Sequence, residues 1–145
     1  MKNLILLSFL ITLCFACGKD KDLEKITGLE TEVLAIHDEV MPKQEDIISL
    51  KSQLSTKIQG IDSLQNVGVS SNTMAEQRIK AVDLSQKLAD ADKLMMDWMH
   101  TYRGDSAKKL DSKQAIIYFE NEKEKILVVK QATLKSIQEA KTFLE

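Results

Sequence analysis

From Ile26 onward, every seventh residue is aliphatic: Ile26, Val33, Val40, Ile47, Leu54 and Ile61. Three positions after each stand Leu29, Ile36, Lys43, Leu50, Lys57 and Leu64, a companion column that is mostly apolar. A 3-4 spacing held over six repeats predicts a long amphipathic helix with one narrow dry seam. The register runs straight through Pro42, the only proline. Proline has no amide hydrogen and crowds the carbonyl four residues back, at a cost of about 3 kcal/mol inside a helix. A loop at this point would insert an arbitrary number of residues and lose the phase. The pattern therefore predicts one helix over about 22–66, kinked at Pro42, with seam burial offsetting the lost bond to the Asp38 carbonyl. The alternative is a break, with Pro42 as the first residue of a separate helix and four helices in all. Thr27 and Glu30 have capping-box spacing, so the helix starts either near 22 or at Thr27, behind a tether.

The first clear interruption is "NVGVSSN", residues 66–72. Thr73 and Glu76 then form a second capping box. The helix they open has Met74, Ala81, Leu88, Met95 and Tyr102 in one column and Leu84, Ala91 and Trp98 in the next. It is expected to stop at Arg103-Gly104, glycine being the usual residue past a helix end. "DSAKKL" reads as a polar connection with a short helical turn. Asp111 and Gln114 cap a third helix that runs to about Leu144, with Ile116, Phe119, Ile126, Val129, Ile137, Ala140 and Phe143 or Leu144 turned inward. Short links between long helices imply antiparallel neighbours. The expected fold is all-α: an antiparallel three-helix bundle, up-down-up, with a long Pro-kinked first helix.

The N-terminus has a different texture. Lys2 precedes "LILLSFLITLCFA", thirteen residues that are nearly all apolar. A basic start and an apolar core of this length predict a secretory signal at 1–16. The core is shorter than the roughly 20 apolar residues that a membrane span requires. At its end, small Ala16 stands directly before Cys17, and Gly, Lys and Asp follow at once. This resembles the lipobox of bacterial lipoproteins, which implies lipidation of Cys17 as the first mature residue. Ordinary signal cleavage, leaving Cys17 as a thiol or paired with another chain, is the competing reading. The two cysteines, Cys14 and Cys17, both sit at this junction, so Cys17 has no internal partner once the signal is removed. Acyl chains, each buried CH₂ contributing about 0.8 kcal/mol, would hold such a chain on a bilayer. Gly18, rather than aspartate, follows the cysteine, and "GKDKD" resembles the stretch that directs some Bacteroidetes lipoproteins to the cell surface. The expected organisation is signal peptide 1–16, anchor and tether 17–22, and helical domain 23–145. The expected location is the outer membrane, facing the periplasm or the cell surface.

Charge narrows the partners. The chain carries 20 basic and 22 acidic side chains, interspersed throughout. A nucleic-acid binder would show a basic stripe with stacking aromatics, so no nucleic acid is expected. None of the five glycines stands in a phosphate-loop pattern. "HDEVMPK" (37–43), with "DWMH" (97–100), resembles a set of small Bacteroidetes lipoproteins often labelled "viral A-type inclusion protein". That resemblance implies a lipoprotein of helices and no particular chemistry.

One constellation invites chemistry. With the chain reversal centred near residue 69, His37 comes to the level of His100 and Met41 to that of Met96. In each helix the histidine and methionine are four apart, hence on one face. Imidazole and thioether suit copper or haem iron, so His37, Met41, Met96 and His100 form a candidate metal site. The competing reading is packing, with Met95, Trp98 and Met99 filling the interior. No CxxCH stands in the chain, which excludes covalent haem attachment. "RGD" at 103–105 matches an adhesion tripeptide, but Gly104 already has a helix-ending reason to be there. Glu120, Glu122 and Glu124 read as a solvated face, and no nucleophile, base and acid set is recognisable. The expectation is a non-enzyme without cofactor: a lipoprotein acting by helical contacts with itself or with an envelope partner. The alternatives are a copper- or haem-binding bundle, and a small apolar ligand held near Met41 and Trp98.

Overall fold

The computed structural model describes residues 16–145, and no strand occurs among them. The helices are α1 (Ala16–Val40), a 3-10 turn (Met41–Lys43), α2 (Gln44–Asn66), α3 (Asn72–Thr101), the short α4 (Gly104–Ala107) and α5 (Ser112–Leu144). α1 and α2, joined through the 3-10 turn, act as one bent helix, and α3 and α5 are the two long ones. The fold is an all-α helical bundle. The expected signal segment lies outside the described residues but for Ala16, and so does the side chain of Cys17.

Chain contacts divide the molecule into two compact units. Among the described residues, the first is 16–34 together with Arg103–Lys123; the second is Ala35–Tyr102 with Glu124–Glu145. In the second unit α2 and α3 form a hairpin, and the C-terminal part of α5 lies along both. Lys130 pairs with Glu39 at 2.7 Å and Lys141 with Asp46 at 3.4 Å. Rising numbers on both sides make α5 parallel to the bent helix. Lys87 of α3 pairs with Glu139 at 2.9 Å. The core is built from Ile47, Leu50, Leu54, Ala81, Leu84, Leu88, Ala91, Ile137 and Ala140. Full burial of each Leu or Ile side chain contributes about 1.5–3 kcal/mol, whereas each exposed ion pair adds little.

The seam residues all land inside. Val40, Ile47, Leu54 and Ile61 are buried in the second unit, Ile26 and Val33 in the first. The companion column is less uniform. Leu50 is buried, Lys43 and Lys57 are half-buried, and Leu64 is exposed. Lys57 keeps its place by laying its stem inward and its ammonium 5.0 Å from the centre of the Phe143 ring, which satisfies both ends of an amphipathic side chain.

Pro42 bends the helix without breaking the phase. Val40 (φ −90°, ψ −33°) and Gln44 (φ −61°, ψ −33°) remain right-handed helical, and the Gln44 N–H donates to the Met41 carbonyl. The missing proline donor is absorbed by one tighter turn. Val40 before it and Ile47 after it are 1% and 0% exposed.

Several helix ends differ from the expected ones. Thr27 is not a cap: its hydroxyl donates to the Leu23 carbonyl at 2.9 Å inside α1. Residues 17–22, expected as a tether, are helical. α3 is capped by Ser71, not Thr73; Ser71 is extended, and its Oγ accepts from the Met74 N–H. Gly104 does not close α3. Tyr102 leaves the helix with extended backbone (ψ 130°), and Gly104 opens α4, where it is buried. At α5 the expected cap is present: the Gln114 N–H donates to Asp111 Oδ1 at 3.1 Å.

In the first unit Ile26, Val33, Ala107, Ala115 and Phe119 are buried. Lys108 joins Glu30 at 2.9 Å and Asp105 at 3.1 Å. These two carboxylates hold its ammonium pKa above the ordinary value, Glu30 contributing most. Glu122, expected on a solvated face, is 3% exposed. It lies three residues after Phe119 and four before Ile126, both buried, so helical spacing turns it inward in spite of its charge.

Candidate functional site

The level of the bundle beside Pro42 collects aromatic side chains. His37 on α1 stands 5.5 Å from Trp98 on α3, ring centre to ring centre, and Trp98 stands 5.0 Å from Tyr102. The His37 Nδ1–H donates to Asp38 Oδ1 at 2.9 Å, which fixes the ring's tautomer and tilt. Trp98 is buried, and its Nε1–H has no hydrogen-bond partner; the same holds for Gln44 Nε2 and Thr133 Oγ1.

Of the four candidate metal ligands, His37 belongs to this stack, whereas Met96 and His100 do not join it. Met96 is 42% exposed and His100 is exposed. Each lies two residues from Trp98, about 200° around the helix, so they occupy the opposite side of α3 from the ring on which His37 rests. The His100 Nδ1–H donates to the Met96 carbonyl at 2.7 Å, an i to i−4 contact within one helix. Met41 is half-buried in the 3-10 turn. Helix rotation turns Met96 and His100 away from the Trp98 side of α3. Among the described residues, no group of three or more His, Cys, Asp or Glu is placed to hold a metal ion. Met95 and Trp98 fill the core, while Met99 is 38% exposed. In the RGD tripeptide the glycine is buried and the Asp105 carboxylate is tied to Lys108.

An extended concave feature lies elsewhere. Three hollows follow one another along the seam between α3 and α5, all within the second unit. The first, ≈ 410 Å³, is floored by Leu94, Trp98 and Val128. The second, ≈ 260 Å³, reaches Ala91, Ala132 and Ser136. The third, ≈ 420 Å³, lies at Lys80 and Phe143. Leu94 belongs to the first two and Glu139 to the last two, so together they make one furrow. From Lys125 to Phe143 it follows α5 for about 27 Å at 1.5 Å per residue. Leu94 and Val128, 40% and 59% exposed, keep much of their apolar surface in water.

The heptad reading missed this furrow because its apolar members flank the seam. The signal was present in "ILVV", 126–129, where the apolar run is wider than one core stripe needs. Ile126 and Val129 take the core; Leu127 and Val128 are left outside, 43% and 59% exposed.

No protein-family model, curated protein or solved structure matches the chain.

Proposed function

We propose that the protein is a lipid-anchored module of the bacterial cell envelope, held at the outer membrane through Cys17, and that it works by helical contacts rather than by catalysis. The observation that carries this reading is the junction at Ala16-Cys17. An apolar signal-like segment ends there in a cysteine, and a charged helix follows. None of the described helices is long and apolar enough to cross a membrane; a lipid on Cys17 supplies the attachment instead. The bundle adds a long, partly apolar furrow with charged rims, a form suited to receiving another helix.

The test is the mass of the chain isolated from bacterial membranes. The expected result is a chain that starts at Cys17 and carries a diacylglyceryl thioether, with Cys17→Ser moving it to the soluble fraction. An unmodified cysteine in the membrane-bound protein overturns the anchor. Crosslinking in intact cells then tests the contact role: adducts to a protein, including a second copy, are expected.

The copper or haem alternative has its own measurement. Titration with Cu(I), Cu(II) and haem is expected to give no complex that depends jointly on His37 and His100. A micromolar or tighter complex abolished by His37→Ala plus His100→Ala would restore it.

A further inference from the structure

The furrow on the second unit has an ordered pattern of charge. At the level of Trp98 its walls carry Asp97 on α3 and Lys125 on α5. At the level of Leu94 and Ala132 they carry Asp90 on α3 and Lys135 on α5. One level further, Lys87 on α3 faces Glu139 on α5. Each of these three levels has one charge of each sign across the groove, and the order inverts at the third. Along α3 the signs read minus, minus, plus; along α5 they read plus, plus, minus.

Such a surface is complementary to itself. A two-fold axis laid along the furrow turns a second copy over without changing the level of any residue. α3 of each copy then comes over α5 of the other. Asp97 meets Lys125, Asp90 meets Lys135 and Lys87 meets Glu139, and symmetry repeats each meeting. Isologous contacts of this kind are the commonest form of soluble homo-oligomer. The half-exposed Leu94 and Val128 lie between the charged rims, so pairing dries an apolar strip inside a polar border, the usual anatomy of a specific interface. An unrelated helix would have to reproduce an inverted three-level charge order that the second copy already carries.

We infer that the α3–α5 furrow is the pairing face for a second copy of this chain, with the two-fold axis along the groove. The inference rests on the helical-contact reading above and names its partner. Pairing replaces water over Leu94 and Val128 and exchanges within-chain ion pairs, Lys87 with Glu139 among them, for alternating ones between copies. Complementary rims of this type fix register and exclude wrong partners.

The test is sedimentation equilibrium of the purified full chain, from whichever cell fraction contains it, with circular dichroism to verify the helix content. Wild type is expected to be a reversible dimer. Val128→Arg, on an exposed position that leaves the core intact, is expected to weaken pairing by about tenfold or more, because it buries an uncompensated charge. Lys135→Glu alone and Asp90→Lys alone each set like charges against each other twice and are expected to weaken pairing. An equimolar mixture of these two variants is expected to pair more tightly than either alone, because in the mixed dimer both contacts at that level again join opposite signs. A wild-type monomer at every concentration overturns the inference. So does a dimer indifferent to Val128→Arg, or a mixture no tighter than its components. Crosslinks placed at Val128 in cells that run only to a different protein also overturn it, and they leave the contact reading standing. A soluble, unmodified Cys17 chain that still dimerises removes the anchor and leaves the pairing intact.

Discussion

The helix is interrupted at Pro42 and again at Val67–Ser71, and the two interruptions behave oppositely. At Met41–Lys43 the chain contains its only proline and continues in the same direction. At Val67–Ser71 it contains no proline and reverses. The difference lies in the sign of φ and in who receives the stranded hydrogen bonds. Around Pro42 every residue stays right-handed, and one 3-10 bond from Gln44 to Met41 is enough. At the reversal Gly68 takes φ +84°. Its N–H donates to the Gln65 carbonyl at 3.0 Å, and the Val69 N–H to the Leu64 carbonyl at 2.9 Å. This pair of bonds is the Schellman closure of a helix. Ser71 then caps the next helix through its Oγ. A proline without a left-handed residue bends a helix; a glycine in the left-handed region followed by a cap ends one.

The largest expected effect comes from the residue that makes the bend tolerable. Ile47 is wholly buried one turn past Pro42 and belongs to the main core cluster. Ile47→Ala removes seam contacts and leaves a cavity, so it is expected to cost about 2–5 kcal/mol in a urea melt followed by circular dichroism. A cost under about 1 kcal/mol, the range of a surface change, would mean that seam burial is not what carries the helix past its proline.

Next comes Gly68→Ala. A Cβ there would meet nothing within 4 Å, so packing offers no reason for glycine. The whole expected loss, about 1–2 kcal/mol, is the left-handed backbone penalty of an L-residue. Gly60→Ala, also in open space but inside α2, is the control. It is expected to stabilise, by up to about 1 kcal/mol, because alanine is the better helix former. Equal effects at the two glycines would remove the role assigned to the backbone sign at the reversal.

Ser71→Ala is expected to cost about 1 kcal/mol as a lost N-cap, and Thr73→Ala markedly less. This pair bears on what the sequence disclosed. The run "SSNT" offers four good capping residues in succession, and the Thr-Glu spacing favoured the last of them. The structure uses Ser71 because the closure at Gly68 returns the chain to an extended conformation there, and that depends on backbone geometry which no local pattern encodes. The seam was legible because Ile26 to Ile61 repeat one spacing through both units. Gly104 misled because a glycine near a helix end can close one helix or open the next, and here it opens α4, where it is buried. Glu122 misled through its identity, although its spacing from Phe119 and Ile126 was already inward. For the candidate site, the sequence suggested a level along the hairpin but carried no measure of helix rotation, which sends Met96 and His100 to the far side of α3 from Trp98.

Pro42→Ala is expected to change stability by less than about 1 kcal/mol in either direction. Alanine supplies the amide hydrogen that can reach the Asp38 carbonyl, a gain of roughly 0.5–1.5 kcal/mol. It also gives the unfolded chain back some of the freedom that proline removes, a loss of similar size. A large loss would show that the bend itself, and not merely its tolerance, supports the packing of Val40 and Ile47.

The smallest effect belongs to the ion pair that spans the hairpin near its reversal, Arg78 with Asp62, both about 40% exposed. The Arg78 guanidinium donates to both Asp62 oxygens. That hydrogen bonding, more than the charge itself, holds the aspartate's pKa below its ordinary 3.8. A carboxylate whose folded value is depressed stabilises the fold above the unfolded pKa, and loses that contribution as pH falls through the folded one. Asp62→Asn is therefore expected to lower the melting temperature slightly at neutral pH, with the gap to wild type closing as the pH drops below 3.8. Salt should also shrink the gap at neutral pH, since both side chains are open to solvent. A gap that persists unchanged in acid would assign the effect to packing of the asparagine rather than to the pair.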